Sequence, residues 1–517
     1  MPSEQRLHPA TLLFDLAGHI KRFAFPALLV IFGASRSSGG PGGMFGRIPS
    51  GWESWLLILL VPAVIISVAR YVSFRLSYEH DGLLIRSGLV FRNERRVPFA
   101  RIQNIDAAQN VFHRFFGVVE VRVETGGGKE EEARMSVLPR AAFDEMRRRV
   151  FMERTLSGGG NPSGLPAEPV EEPQGETLVH LSLRELLLCG FLENKGMVLV
   201  GAASGLLWES GLGNRLMGQM FGGSEALGRS FFREVMRGVF DGGPLPLARM
   251  GLGLAAFLAF LVIVRIVSMA WAFLRLYDFR LTRIHEDLRT EYGLLTRVTA
   301  TVPIRRVQTI TVRAGPLHRW LRRATVRVET AGGAGEKSAA HVREWLAPLI
   351  RQEELPRLLH SVLPGFDLAA MAWQPLHPRA FARAVKPKLV GDALVTLVAA
   401  VFIGWGAIGV AILLLPWSIV TARQYVKHLA WAESDETVVM RSGWLWQQMT
   451  IARVNKIQAV AMRQSPFDRR AAMARVRVDT AGASEFTRLD IPYLDAAVAA
   501  GLHSRLAAHA ADTAFKW

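Results

Sequence analysis

Three stretches of this chain match one another without a gap for about 40 residues, and a chain built on such a repeat folds as repeated units. The alignment starts at Ser87-Gly88-Leu89, Tyr292-Gly293-Leu294 and Ser442-Gly443-Trp444. Gln103, Gln308 and Gln458 fall together, preceded by Ile102, Val307 and Ile457 and by Arg101, Arg306 and Lys456. Arg114, Arg319 and Arg469 coincide. So do the strings Val121-Arg122-Val123-Glu124-Thr125, Val326-Arg327-Val328-Glu329-Thr330 and Val476-Arg477-Val478-Asp479-Thr480, each running into a small-residue turn. The first two copies also align further back, where Phe74-Arg75-Leu76 meets Phe279-Arg280-Leu281.

Within a unit the Val-Arg-Val-Glu alternation has the period of two expected of a half-buried antiparallel strand. Gly126-Gly127-Gly128 reads as a turn, and Glu130, Glu131 and Glu132 as a solvated hairpin tip. Each unit is expected to end in a helix, over Pro139 to Glu153, Val342 to Leu359 and Pro492 to Ala510. Pro139 and Pro492 suit a first helical turn. Several short strands closed by one helix suggest a small barrel or sandwich.

The apolar residues, half of the 517, gather in long runs ahead of each unit. A hydrocarbon core of about 30 Å needs about 20 apolar residues in a helix. Phe23 to Ala34 and Trp55 to Phe74 form one helical hairpin; Leu186 to Trp208 and Leu247 to Leu274 form a second; Leu389 to Val420 forms a third, turning at Gly404, Gly406 and Gly409. The loop in the second contains an amphipathic stretch, Arg229 to Phe240, which either lies on the membrane interface or packs on its neighbours. Lys and Arg flank the open side of each hairpin (Lys21, Arg22, Arg70, Arg75; Arg275, Arg280, Arg283; Arg383, Lys386, Lys388, Arg423, Lys427), which places both termini and the polar domains in the cytoplasm. The first twenty residues show no signal-peptide pattern, since Asp15 and His19 interrupt the apolar run. The expected organisation is 1–74 (N-terminal segment and hairpin), 75–155 (domain), 156–176 (linker), 177–276 (hairpin with external loop), 277–363 (domain), 364–386 (linker), 387–425 (hairpin) and 426–517 (domain).

The formal net charge of +17, from 62 Lys+Arg against 45 Asp+Glu, follows from the same positive-inside bias. No zinc-finger, basic-zipper or RNA-binding signature interleaves it, so nucleic acid is not an expected partner. Cys189 stands alone and reads as a buried thiol, which excludes an intramolecular disulfide and a cysteine metal cluster.

The x-Gly-Leu start, the Pro-x-x-Arg-[Ile/Val]-Gln core (Pro98 to Gln103, Pro303 to Gln308) and the valine-rich strand before a glycine turn resemble the bacterial pleckstrin-homology-like (PH-like) domain of YdbT-like membrane proteins. The resemblance covers essentially the whole chain. It implies an α+β membrane protein in which three transmembrane helical hairpins alternate with three PH-like β-barrel or sandwich domains. Each domain would be a seven-stranded barrel closed by a C-terminal helix. It further implies a role in cell-envelope stress or antimicrobial-peptide resistance and a shorter, one-domain membrane partner. The third copy departs from the pattern: Arg453 replaces the proline, and Asp468 stands where the others have His113 and His318. Gly117 has no glycine counterpart in either later copy.

No catalytic constellation is present. The chain lacks a Gly-x-Ser-x-Gly elbow, a phosphate loop and a His-Glu-x-x-His motif, and Gly126-Gly127-Gly128-Lys129 has the wrong spacing for a nucleotide loop. No enzyme activity and no cofactor are expected. Gln103, Gln308 and Gln458 suit a hydrogen bond to a backbone edge inside each domain. Arg101, Arg306 and Lys456, with Arg114, Arg319 and Arg469, have two readings. They form a basic rim for lipid headgroups or a protein partner, each worth about 1 kcal/mol near an anionic leaflet, or they pair with Glu124, Glu329 and Asp479. The expected function is an inner-membrane scaffold that contacts lipids and a one-domain partner or itself. The alternative is a transport component, for which the candidates are Arg265 and Asp392; the plainer reading is a helix that leaves the bilayer near Arg265 and an Asp392 close enough to its helix start to reach the interface.

Overall fold

The computed structural model describes residues 7–18, 52–79, 82–88, 92–99, 102–125, 133–143, 145–146, 149, 175–193, 195–209, 247–330, 345–480 and 489–512. The expected first helix of the first hairpin, the amphipathic stretch Arg229 to Phe240 and the Glu130–Glu132 tip lie outside them.

Repeat 1 runs from helix α1 (Trp52–Ser73) through β1 (Arg75–Tyr78), β2 (Gly82–Ser87), β3 (Asn93–Pro98), β4 (Ile102–Asn110), the short helix α2 (Val111–Phe115), β5 (Val118–Thr125) and β6 (Ala133–Pro139). Repeat 2 opens with β7 (Glu176–His180) and helices α3 (Leu183–Leu192), α4 (Lys195–Glu209) and α5 (Leu247–Leu276). It continues through β8 (Arg280–Ile284), β9 (Asp287–Tyr292), β10 (Thr296–Pro303), β11 (Val307–Ala314), α6 (Pro316–Trp320), β12 (Arg323–Thr330), β13 (Trp345–Arg351) and α7 (Leu355–Val362). Repeat 3 has α8 (Ala380–Ile403), α9 (Ala407–Lys427), β14 (Ala430–Glu433), β15 (Thr437–Ser442), β16 (Gln447–Arg453), β17 (Ile457–Arg463), α10 (Pro466–Arg470), β18 (Met473–Thr480), β19 (Leu489–Asp495) and α11 (Ala496–Asp512).

Each domain is two three-stranded antiparallel sheets packed face to face. The same aligned positions build the three cores. Leu76, Leu281 and Trp431 are buried together, as are Leu83, Leu288 and Val438, then Ile102, Val307 and Ile457, then Val121, Val326 and Val476. The equivalence extends into the membrane helix in all three repeats: Ser67, Ala272 and Ala422 are buried, as are Phe74, Phe279 and Leu429. The seventh strand implied by the resemblance is formed in repeat 2, where β7 pairs with β8. In repeat 3 that place holds a single bridge from Gln374 to Trp431.

The sheets do not stop at the domain boundaries. One seven-stranded sheet has the order β6-β5-β4-β10-β9-β8-β7, and one six-stranded sheet has the order β13-β12-β11-β16-β15-β14. The second sheet of each repeat is thus continued by the first sheet of the next. This explains the near-continuous apolar runs Val438-Val439-Met440 and Ile451-Ala452. Val438 and Ala452 join the core of repeat 3, while Val439 and Ile451 join that of repeat 2. Successive side chains point to opposite faces, so a strand sandwiched between two cores must be apolar on both.

Two of the expected closing helices begin later than their prolines suggest. Trp345 to Arg351 is strand β13, and only Leu355–Val362 is helical. Pro492 lies inside strand β19, with helix α11 starting at Ala496, and Pro139 is the last residue of β6. Strands β6, β13 and β19 are sheet edges, where an outward-facing proline costs the ladder no hydrogen bond.

Among the described residues, Gly253–Leu276 and Ala380–Lys427 are long and apolar enough to cross a membrane. The second folds back on itself. Lys388 Nζ donates to Thr421 Oγ1 at 2.8 Å, whereas 33 residues of continuous helix would separate them by about 50 Å. The reversal sits at Gly404, with φ 55° and ψ −128°. Helices α3 and α4, bent by 60°, both pack on α5. Their contacts are close because Gly190 and Gly196 have no side chain. A Cβ on Gly190 would lie 2.6 Å from Met269 Cα, and the Gly196 amide donates to Ser268 Oγ at 2.8 Å. Arg265 is tied into this packing: its Nη1 donates to the Phe191 carbonyl at 2.8 Å, at the break between α3 and α4.

The position aligned with Gly117 is left-handed in every repeat, at φ 65°, 53° and 54° for Gly117, Arg322 and Ala472. A side chain there costs about 1–2 kcal/mol, and glycine recovers part of that against its greater unfolded-state entropy. Arg322→Gly and Ala472→Gly are therefore expected to stabilise the protein by about 0.5–1 kcal/mol each, and Gly117→Ala to destabilise it by about 1–2 kcal/mol. Denaturant titration of the detergent-solubilised chain measures these; stabilisation by Gly117→Ala would contradict the assignment.

Candidate functional site: the joints between repeats

Two of the basic residues shared by the repeats, Arg114 and Arg319, lie at two joints between repeats. In the first, β10 pairs antiparallel with β4: Thr296 with Asn110, Arg297 with Gln109, Val298 with Ala108 and Thr299 with Ala107. In the second, β16 pairs with β11: Gln447 with Ala314, Gln448 with Arg313, Met449 with Val312, Thr450 with Thr311, Ile451 with Ile310 and Ala452 with Thr309. Arg297 aligns with Gln447 and Gln109 with Ala314, so the two joints use one register.

Each joint is clamped by the repeat's own arginine. Arg114 Nη1 donates to the Leu294 carbonyl at 3.4 Å, and Arg319 Nη1 donates to the Trp444 carbonyl at 2.9 Å. Leu294 and Trp444 are themselves aligned. Each arginine is set by the short helix between the two strands of its sheet. It reaches the turn of the next repeat, where Gly293 and Gly443 take φ 113° and 88° because a Cβ would overlap the carbonyl of Thr296 or Trp446. Arg469 occupies the same place in repeat 3, exposed, with no hydrogen-bond or ion-pair partner among the described residues. Arg453, the residue that replaces proline, adds a bond to the second joint: its Nη1 donates to the Ile304 carbonyl at 3.1 Å.

The shared glutamine marks a β-bulge. The ladder shifts register between Ile102 and Asn104, between Val307 and Thr309, and between Ile457 and Ala459. Gln308 is buried, and its Nε2 donates to the Arg306 carbonyl at 3.4 Å. Gln458 is exposed, since β17 has no partner on that side among the described residues. The Gln103 side chain and Arg101 lie outside the described residues. Arg306 and Lys456 end the short 3₁₀ turns before β11 and β17 and are half-buried. Burial pushes the Lys456 ammonium below its ordinary value, and the nearby Arg453 and Arg305 push the same way. Glu329 accepts from Thr309 Oγ1 at 2.9 Å.

The divergence at His113, His318 and Asp468 has a local cause. His113 is buried and stacks on Phe14 of the N-terminal segment, ring centroids 4.0 Å apart. Asp468 closes a capping box with Ser465 and accepts from Arg383 Nε at 2.6 Å, tying α10 to the base of the third hairpin. Partial burial works to raise the Asp468 pKa, but the bonds from Ser465 and Arg383 outweigh it and hold the carboxyl below its ordinary value. Cys189 is buried. Among the described residues no group of three or more His, Cys, Asp or Glu is placed to hold a metal ion.

Sequence reasoning singled out Arg114 and Arg319 as contact residues and assigned them to lipid, to a protein partner or to acidic residues on their own repeat; in the structure they contact backbone carbonyls of the next repeat. It missed the role of Arg453, whose departure from the repeat was the available signal.

A model of the bacterial PH domain matches the chain three times, over residues 24–154, 244–365 and 375–510. The transmembrane protein YdbT of Bacillus subtilis is 23% identical over 505 residues, covering 95% of each chain. No solved structure matches significantly.

Arg319→Ala is expected to loosen the second joint by about 0.5–1.5 kcal/mol, read as a roughly two- to tenfold rise in amide exchange of β16 with β18 unchanged; unchanged exchange of β16 would remove the clamp. Asp468 has a depressed folded pKa, so its contribution is present above the ordinary carboxylate range and is lost as pH falls through the folded value. Asp468→Asn is expected to cost about 0.5–1 kcal/mol at neutral pH, through loss of the charged pair with Arg383. That deficit should shrink as pH falls through the folded value, which lies below the ordinary carboxylate range; a deficit that persists once the carboxyl is protonated would contradict the charge-based account.

Proposed function

The chain belongs to the bacterial PH domain family, and on that footing we propose that it is a membrane scaffold whose three fused domains present a continuous β platform to proteins and lipid headgroups. The observation that carries this reading is the pair of shared sheets. Independent lipid-binding modules need no common sheet, whereas a platform that holds partners in fixed relation does. The basic residues at the base of the hairpins support a cytoplasmic placement against an anionic leaflet. The process, envelope stress or antimicrobial-peptide resistance, is proposed on the family resemblance alone, and the reading involves no catalysis and no cofactor.

Transport is the second reading. It rests on Asp392 in α8, whose Oδ2 is buried without a hydrogen-bond partner among the described residues. Arg265, already committed to the Phe191 carbonyl, does not support it.

The scaffold reading predicts that Ser442→Cys resists an impermeant maleimide added to intact cells and reacts once the inner membrane is opened. It also predicts that gentle detergent extraction yields an assembly of fixed mass, larger than one chain in its micelle. Labelling in intact cells, or a single chain at every concentration, would overturn it.

A further inference from the structure

Among the strands that align with the joint-forming ones, two have no joint partner among the described residues. Strand β3 pairs with β2 alone, and β17 pairs with β18 alone. Strand β3 aligns with β10 and β16, the strands that accept a neighbour at the internal joints. Strand β17 aligns with β4 and β11, the strands that meet them. Exposure follows the missing partner. In β11 the residues Gln308, Thr309 and Thr311 are buried, whereas their counterparts Gln458, Ala459 and Ala461 in β17 are exposed. Asn93 to Arg96 of β3 are exposed as well.

We propose that this chain assembles head to tail with further copies of itself, β17 of one chain pairing antiparallel with β3 of the next. The proposal deepens the scaffold reading and rests on it. The internal register carries over directly: Ala459 opposite Val97, Val460 opposite Arg96, Ala461 opposite Arg95, Met462 opposite Glu94 and Arg463 opposite Asn93. Both internal joints bring their own clamp, and the third copy of that clamp, Arg469, stands exposed beside β17 with no partner among the described residues. An exposed edge is a template for another chain unless it is blunted, and charge is one common way to blunt it. Strand β3 carries three charges, Glu94, Arg95 and Arg96, and Glu94 and Arg96 are paired within their own repeat. Arg86 Nε meets Glu94 at 3.2 Å and Arg96 Nε meets Glu79 at 3.1 Å. Strands β9 and β10 carry the same kind of pairing, Arg289 and Arg297 with Glu291, and β10 forms its joint regardless. Strand β17 carries one charge, Arg463, and has no proline. A second copy of this chain is the occupant whose edge and register the internal joints already specify.

Opposed residues of antiparallel strands have Cα atoms about 4.5–5.5 Å apart, within the span a disulfide accepts. Full-length Arg95→Cys and Ala461→Cys chains, carrying different tags and co-expressed in one membrane, should oxidise to a dimer that holds both tags. Thr311→Cys with Thr450→Cys in one chain, the equivalent internal pair, serves as the positive control. Arg92→Cys with Ala461→Cys, out of register, sets the background. A separate Ala461→Pro chain, which lacks a donor at this edge, should shift the extracted assembly to single chains while thermal unfolding shows the fold intact. Cross-linking no greater than the out-of-register background overturns the proposal. So does capture of the Ala461→Cys chain by a protein of different size, but that result leaves the scaffold reading standing, because a partner is still held.

Discussion

Edge-to-edge hydrogen bonding between successive domains is the constraint on which the rest of this molecule depends. A sheet edge presents a row of unsatisfied N–H and C=O groups, and a small two-sheet domain has several. Here β4 and β11 meet the first sheet of the following repeat, so those edges are satisfied inside the chain. Once the edges are joined, the outer faces of the joined strands lie against a neighbouring core. Val439 and Ile451 are apolar for that reason.

Divergence between the repeats follows from what each one adjoins. Repeat 3 gives a strand to the joint with repeat 2, but its β17 pairs with β18 alone among the described residues, so Gln458 is exposed where Gln308 is buried. Its Arg453 reaches back to the Ile304 carbonyl, a contact that a proline at that position has no side chain to make. Its Asp468 binds Arg383 and so couples the domain to its hairpin. In repeat 1 the equivalent His113 instead receives the N-terminal segment through Phe14. The left-handed turn at Gly117, Arg322 and Ala472 shows the reverse case, a backbone shape kept while the residue that favours it is lost.

The membrane helices follow a different rule. Hydrophobic burial gives little preference between lipid and another helix, so close approach and hydrogen bonds decide the packing. Gly190 and Gly196 let α3 and α4 reach α5, and Ser268 and Arg265 satisfy the backbone groups left free at the bend. An intramembrane arginine that sequence alone marks as a transport candidate is here the donor that stabilises a broken helix.

The amino-acid sequence by itself determined the repeat, the membrane character and the strand pattern. Each of these is a periodic signal: an ungapped match, an apolar run long enough to span a bilayer, an alternation of two. It also singled out Arg114 and Arg319, which make contacts across the joints. Only the tertiary structure decided what the two contact. The carbonyls of Leu294 and Trp444 belong to a later repeat, and backbone acceptors leave no trace in side-chain patterns. The strands at Trp345–Arg351 and Leu489–Asp495 were hidden for a related reason, since their stretches read as helix from sequence. A proline fits either state, and only the position of the strand at a sheet edge distinguishes them.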